Sequence, residues 1–208
     1  MLSTTALVGL LVAGAAASPS GIHDRTGRIV HKRTTETVEL YAYGTNISGL
    51  AIYAGSDNLA YVATDDAAAN LTAVTWTIDT SGTDAWTVAA NTTASTTNSS
   101  SSLTSGSTFY IVSDSTSDDS FAQAGFVSDA SSAPTGATTT GFVTYGPFVM
   151  VLDDTDDSGK ETYVSEFWAT ETDTDGLWAL MWNEDGSAQD NSVPVTLKTT
   201  APVETELL

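Results

Sequence analysis

The sequence predicts an all-β protein, an antiparallel β-sandwich or jelly roll of roughly ten or eleven strands, with a closed β-barrel as the alternative. Short runs rich in β-branched and aromatic residues alternate with loops of Asp, Gly, Ser and Asn. No window of the chain repeats apolar residues with a helical period. Residues 141–200 hold four such runs in succession, a pattern typical of an antiparallel meander. The four predicted strands are 141–152, 161–169, 177–182 and 194–197.

The first half of the chain supplies the earlier strands. Residues 37–44 alternate apolar and polar positions, which predicts a half-buried strand. Residues 50–54 and 59–63, joined by Gly55-Ser-Asp-Asn, predict a hairpin. Four further runs complete this half, at 73–78, 85–88, 109–112 and 121–127.

Aromatic residues are prominent in the predicted meander. Alternation places Val164, Glu166 and Trp168 on one face of their strand, and Trp178, Leu180 and Trp182 on one face of the next. Such a stripe predicts buried tryptophans in the core. The alternative is that some rings are exposed and stack on the C–H faces of sugars; the candidates for stacking are Trp168, Trp178, Trp182, Tyr41 and Tyr43.

The N-terminus has the pattern of a secretory signal peptide at residues 1–17. Its apolar run ends in Ala15-Ala16-Ala17, which predicts cleavage after Ala17. The run is too short to span a bilayer, so we expect no stable membrane insertion once the signal is removed. The predicted location is therefore secreted, either extracellular or associated with the cell wall.

Residues 18–33 predict a propeptide, because they hold four of the six basic residues and both histidines of the chain. They end in Lys32-Arg33, the dibasic pair that kexin-like processing proteases recognise with an acidic pocket for each side chain. Cleavage after Arg33 would leave residues 34–208, a length that suits one β domain.

The composition of residues 34–208 excludes several classes of chemistry. This segment has 25 acidic and two basic side chains, a formal charge of −23, and neither Cys nor His. A disulfide framework, a thiol nucleophile and a Ser-His-Asp triad are thereby excluded. Nucleic acid is excluded as a partner because the surface would repel phosphates. Carboxylate chemistry, calcium binding, or no chemistry at all remain.

A Ser/Thr tract interrupts the strands at residues 91–108, where 13 of 18 residues are Ser or Thr. This composition predicts a flexible loop that cannot cover a core. The chain also contains four Asn-X-Ser/Thr sequons, which on an exported chain predict N-glycosylation; they begin at Asn46, Asn70, Asn91 and Asn98.

One acidic loop has the start of a calcium-binding pattern. Asp154, Asp156 and Ser158 alternate before Gly159, so their oxygens could converge on a cation. The twelfth position from Asp154 is Ser165, where an EF-hand requires a bidentate Glu. Solvated hairpin tips are the alternative, and no other cofactor is predicted.

No catalytic motif stands out, so the sequence predicts no catalytic residues. The alternative is an acid-active, carboxylate-dependent hydrolase, either a glycosidase or a glutamic-type peptidase, with Glu166 and Glu161 as its pair. Such an enzyme requires the two carboxylates to face each other across an open cleft.

Several features together resemble a group of small secreted proteins of filamentous ascomycete fungi. These are the signal peptide, the propeptide ending in Lys-Arg, the segment Leu40-Tyr-Ala-Tyr-Gly-Thr-Asn-Ile-Ser-Gly-Leu, and the segments Leu180-Met-Trp-Asn and Pro194-Val-Thr-Leu-Lys-Thr-Thr-Ala-Pro. The resemblance implies export and supplies no catalytic residues. We therefore expect a secreted, non-enzymatic glycoprotein of the cell surface or extracellular matrix that binds wall polysaccharide or an extracellular host protein.

Overall fold

In a computed structural model, the described residues are 35–92, 103–113 and 121–203, all within the compact unit Arg33–Leu208. They form two short 3-10 helices, Ala67–Asn70 and Ala130–Ser132, and sixteen β-strands. The strands are β1 (Thr35–Val38), β2 (Tyr41–Gly44), β3 (Ile47–Ala54), β4 (Ala60–Ala63), β5 (Thr72–Asp79), β6 (Thr87–Ala90), β7 (Ser107–Val112), β8 (Phe121–Gln123), β9 (Gly125–Val127), β10 (Ala137–Thr138), β11 (Phe142–Tyr145), β12 (Phe148–Thr155), β13 (Glu161–Val164), β14 (Phe167–Glu171), β15 (Leu177–Asn183) and β16 (Ser192–Lys198).

Six strands close into an antiparallel barrel. The order of pairing around the ring is β2, β3, β4, β15, β14 and β16, and β16 pairs again with β2. In the closing pair, Val195 lies opposite Gly44 and Lys198 lies opposite Tyr41. The predicted all-β antiparallel class is confirmed, and this ring is the closed barrel that was its alternative.

The remaining strands extend the barrel on two sides. On one side, β5 pairs with β3 of the barrel and also with β1 and β6. Strand β7 pairs with β6, β9 and β10. On the other side, β12 pairs with β16 through Phe148 and Lys198, and it carries β11 and β13. The strand β8 pairs with β15.

The structure has more strands than predicted because several runs that were predicted as single strands are each divided into two. Val164 ends β13 opposite Val151, whereas Phe167 begins β14 opposite Trp182. The run 161–169, predicted as one strand, is therefore two, and its predicted alternation breaks at Ser165. Residues 142–155 likewise form a hairpin that turns at Gly146-Pro147.

The inward faces of the strands share one apolar core. Within the barrel, alternate residues of β2, β15 and β16 point inward, including Ala42, Leu180, Trp182, Val195 and Leu197. The same core extends beside the barrel into an aromatic cluster of five rings, Trp76, Trp86, Phe109, Phe126 and Phe142. Phe142 of β11 packs against Phe109 of β7, so this cluster joins the strands on the two sides of the barrel.

The loop predicted over the Ser/Thr tract ends earlier than residue 108. Strand β7 begins at Ser107, and both Ser107 and Thr108 are buried, although the predicted flexible loop extended to residue 108. Burial is tolerated because Ser107 Oγ donates a hydrogen bond to the carbonyl oxygen of Thr104 at 2.8 Å. Residues 93–102, including Asn98, lie outside the described residues, as do the predicted signal peptide, propeptide and processing residues Ala17, Lys32 and Arg33.

Close backbone approach at the closing pair makes a first prediction. A Cβ at position 44 would lie 2.7 Å from the Pro194 carbonyl oxygen and 2.9 Å from Val195 Cγ1. Gly44→Ala should therefore push β2 away from β16 and lower the free energy of unfolding by about 1 to 3 kcal/mol. Urea denaturation would measure this change, with Thr45→Ala in the adjacent exposed turn as the control. A Gly44→Ala protein as stable as the wild type would mean that β2 and β16 are not in close contact.

Candidate functional site

A row of outward-facing side chains crosses four neighbouring strands on the outer surface. Tyr145 of β11 pairs with Phe148 of β12, which pairs with Lys198 of β16, which pairs with Tyr41 of β2. Cross-strand partners point to the same side of a sheet, so the four side chains share one face. We call these four, with Tyr43 on the same face of β2, the aromatic row.

The strand pattern explains why these rings face outward. In β16, Val195 and Leu197 are buried in the core, which turns Lys198 to the outside. In β2, buried Ala42 lies between the two tyrosines and turns both of them outward. At the hairpin turn the rings are open to solvent, since Tyr145 is 77% exposed and Phe148 is 40% exposed.

Lys198 lies in the middle of the aromatic row and contacts the rings of two of its neighbours. Its Nζ lies 4.5 Å from the ring centroid of Tyr43 and 5.2 Å from that of Phe148, which are cation–π distances. Only one other basic side chain, Lys160, lies among the described residues. The hydroxyl of Tyr43 donates to the carbonyl oxygen of Thr200 at 3.0 Å, which holds its ring in place.

Tyr41 lies at the inner end of the row and is less exposed. Its hydroxyl donates a 2.5 Å hydrogen bond to Glu39 Oε2. Burial, followed by this hydrogen bond to Glu39, raises the pKa of Tyr41 to about 12. The phenol thus stays protonated and remains a donor across the physiological range.

Two of the three tryptophans that were candidates for ligand stacking are buried in the fold. Trp182 is 2% exposed, packs edge-on against Phe167 at 5.0 Å, and donates from Nε1 to Glu184 Oε2 at 2.9 Å. Trp168 is 7% exposed, with Phe121 edge-on to its ring at 6.5 Å. The prediction that Trp168 and Trp182 could stack on a ligand is therefore wrong, because neither ring has a face open to solvent. Trp178 is partly buried against the core.

The two carboxylates of the hydrolase alternative have different neighbours. Glu161, at the exposed start of β13, accepts a hydrogen bond from the Tyr163 hydroxyl. Glu166 follows the end of β13 and lies beside Gly186, where an added Cβ would be 3.3 Å from Glu166 Oε2. No observed contact joins the two groups into a catalytic pair.

The calcium pattern forms a hydrogen-bonded turn. Asp156 Oδ1 accepts from the Ser158 and Lys160 backbone N–H groups, each at 2.9 Å, and from Ser158 Oγ at 2.6 Å. Asp154 Oδ1 accepts from the N–H of the next residue at 2.8 Å. Over the described parts of the chain, no three His, Cys, Asp or Glu side chains group closely enough to hold a metal ion.

Three of the predicted glycosylation sites lie in described residues. Asn46 occupies the exposed turn between β2 and β3 with a φ of 62°. Asn70 is exposed at the end of the first 3-10 helix. Asn91 follows β6, is half-buried, and donates from Nδ2 to Glu39 Oε1 at 2.8 Å.

Sequence reasoning found Tyr41 and Tyr43 but missed Tyr145, Phe148 and Lys198. The sequence predicts a single strand over residues 141–152, whereas the structure pairs Tyr145 with Phe148 across a turn. The Gly146-Pro147 dipeptide between the two rings was the available signal, since Gly-Pro marks turns. No local signal could place Lys198 beside Phe148 and Tyr43, because these contacts depend on the pairing of β16 with β12 and with β2.

Along the described chain, no helix is long and apolar enough to cross a membrane.

Comparisons with protein-family models, with curated proteins and with solved structures found no match to this chain.

Proposed function

We propose that this protein is a secreted, non-enzymatic β-barrel protein that binds carbohydrate of the cell wall or extracellular matrix through the aromatic row. The observation that carries the proposal is the set of outward-facing rings of Tyr145, Phe148 and Tyr43 around Lys198. Sugar rings have apolar C–H faces that pack on aromatic rings, and their hydroxyls accept hydrogen bonds from an ammonium group.

The dimensions of the row suit an extended polymer. Adjacent strands lie about 4.8 Å apart, so the three paired positions from Tyr145 through Phe148 to Lys198 span about 10 Å. That length contacts more than one sugar ring. A chain of sugars would lie across the strands, with the exposed rings of Tyr145 and Phe148 as the outer contacts.

The charge of the chain favours a neutral ligand. The predicted mature chain carries −23, so an anionic polymer would be repelled. Chitin, β-glucan and cellulose are neutral and avoid that repulsion. We take these three insoluble polymers as the probes.

The test is retention of the purified protein on chitin, β-glucan and cellulose near pH 5. The wild type should be retained on at least one polymer, and the double variant Tyr145→Ala/Phe148→Ala should bind at least about 10-fold more weakly, since stacking contributes about 1 kcal/mol or more for each ring. Tyr163→Ala is the matched control because Tyr163 lies on neighbouring β13 outside the row.

Two outcomes would contradict the proposal. One is that none of the three polymers retains the wild type. The other is that the double variant binds as well as the wild type. Release of soluble sugar during the assay, abolished by Glu166→Gln, would instead support the hydrolase alternative.

A further inference from the structure

A small pocket opens at the inner end of the aromatic row. Its volume is about 150 Å³, which is enough for part of one sugar ring but not for a polymer. Its walls combine two tyrosine rings, small apolar side chains, one carboxylate and one amide. The residues that line it include Tyr41, Tyr53, Ala51, Ala73, Glu39 and Asn91.

The polar wall of this pocket is organised around Glu39. One carboxylate oxygen accepts from the Tyr41 hydroxyl at 2.5 Å, and the other accepts from Asn91 Nδ2 at 2.8 Å. The amide nitrogen of Asn91 is thereby fixed in the wall, with a single carboxylate between it and Tyr41. Asn91 is also the first residue of the sequon Asn91-Thr92-Thr93.

We propose that this pocket seats the first N-acetylglucosamine of a glycan attached to Asn91 of the same chain. In the transfer step, Asn91 Nδ2 forms a bond to C1 of the sugar of a lipid-linked oligosaccharide diphosphate. The bond between C1 and the diphosphate oxygen breaks, the lipid diphosphate leaves with that electron pair, and the amide loses one proton. The linked nitrogen keeps its second N–H.

The retained N–H explains how the linked sugar would be oriented. It can still donate to Glu39 Oε1, which holds the Asn91 side chain in the pocket wall. The attached sugar then lies over Tyr41 and the apolar side chains of Ala51 and Ala73, where its C–H face replaces water. The following sugars extend into solvent.

The other described sequons differ in their surroundings. Asn46 is in an exposed hairpin turn, and Asn70 is exposed at the end of a 3-10 helix. A glycan at either position would be a solvated attachment. Asn91 is the described sequon whose acceptor nitrogen lines an aromatic pocket, so its glycan should stabilise the fold measurably.

The experiment directs the full chain through the secretory route of a yeast host and trims its glycans enzymatically to one sugar. Mass spectrometry of the glycopeptide should show the sugar on Asn91. Thr93→Ala removes the sequon but leaves the Asn91 side chain in place. We expect the melting temperature of the wild type to exceed that of Thr93→Ala by about 2 to 4 °C.

Three controls isolate the contact. In a Tyr41→Ala background, adding Thr93→Ala should no longer change the melting temperature. Ser48→Ala, which removes the exposed Asn46 sequon, should leave the melting temperature unchanged. In protein made without glycans in a bacterial cytosol, the wild type and Thr93→Ala should have the same melting temperature.

An unmodified Asn91 in the secreted protein would overturn the proposal, as would an equal glycan effect with and without the Tyr41 ring. If Tyr41→Ala is not secreted, nuclear Overhauser contacts between the sugar protons and the Tyr41 ring protons decide instead, and their absence rejects the contact. The inference does not rest on polysaccharide binding, because occupancy and melting temperature are measured without polymer.

Discussion

Phe109→Ala is expected to lower the free energy of unfolding by about 3 to 5 kcal/mol. Phe109 is 1% exposed and contacts three other rings of the aromatic cluster. The centroid distances are 4.9 Å to Trp76, 5.2 Å to Phe142 and 5.8 Å to Phe126. Removing the ring loses its burial and leaves a cavity in the close-packed core.

Urea denaturation followed by circular dichroism would measure this loss as a lower midpoint with an unchanged slope. Phe148→Ala is the matched control, because it removes the same ring from a position that is 40% exposed. Its effect should be a small fraction of that of Phe109→Ala. Equal effects of the two substitutions would contradict the assignment of Phe109 to the core.

Asp79→Ala is expected to cost about 3 kcal/mol, because Asp79 organises the turn between β5 and β6. Its Oδ2, in a side chain that is 6% exposed, accepts from the Ser81 hydroxyl at 2.5 Å and from the Thr83 and Asp84 backbone N–H groups at 3.2 and 3.1 Å. Hydrogen bonds to a charged acceptor contribute about 1.5 to 3 kcal/mol each before the turn relaxes. Asp173→Ala, on an exposed loop, is the control.

The contribution of Asp79 should depend on pH with a defined sign. Burial raises the pKa of Asp79, but the hydrogen bonds from Ser81, Asp84 and Thr83 together outweigh burial and leave the pKa below its ordinary value. A depressed pKa stabilises the folded state fully above the unfolded value of about 3.9, and this stabilisation is lost as the pH falls through the folded pKa.

Unfolding of the wild type and Asp79→Ala should therefore be compared from about pH 7 to about pH 2. The difference in their free energies of unfolding should stay constant above about pH 5 and shrink below about pH 4. A difference that grows on acidification would mean that Asp79 has a raised pKa in the folded protein.

The all-β class could be predicted because it depends on local patterns. The Gly55 turn before Leu59 corresponds to the β3–β4 hairpin. The run 37–44, predicted as one strand, is instead divided between β1, which pairs with β5, and β2, which pairs with β3 and β16. The division of 161–169 into β13 and β14 could not be predicted, since it follows from a change of partner from Val151 to Trp182. Pairing between distant strands leaves no trace in the local sequence.

The candidate site was predicted in part for the same reason. Tyr41 and Tyr43 could be found from the alternation of one strand. Lys198 lies over the Tyr43 ring only because β16 closes the barrel against β2, a contact that no spacing near either residue indicates. The ring of Trp168 likewise packs against Phe121, which comes from a separate strand.

Closure of the ring by β2 and β16 also sets an order of events during synthesis. The Tyr43 hydroxyl and the Thr200 carbonyl are 157 positions apart in the chain. At about 5 to 20 residues per second, β2 emerges from the ribosome roughly 10 to 30 s before its partner. During that interval β2 has an unpaired edge that can join another nascent chain. Because β16 is made late, this edge of β2 stays open for most of synthesis, and a chain that stops before Ser192 should aggregate through it.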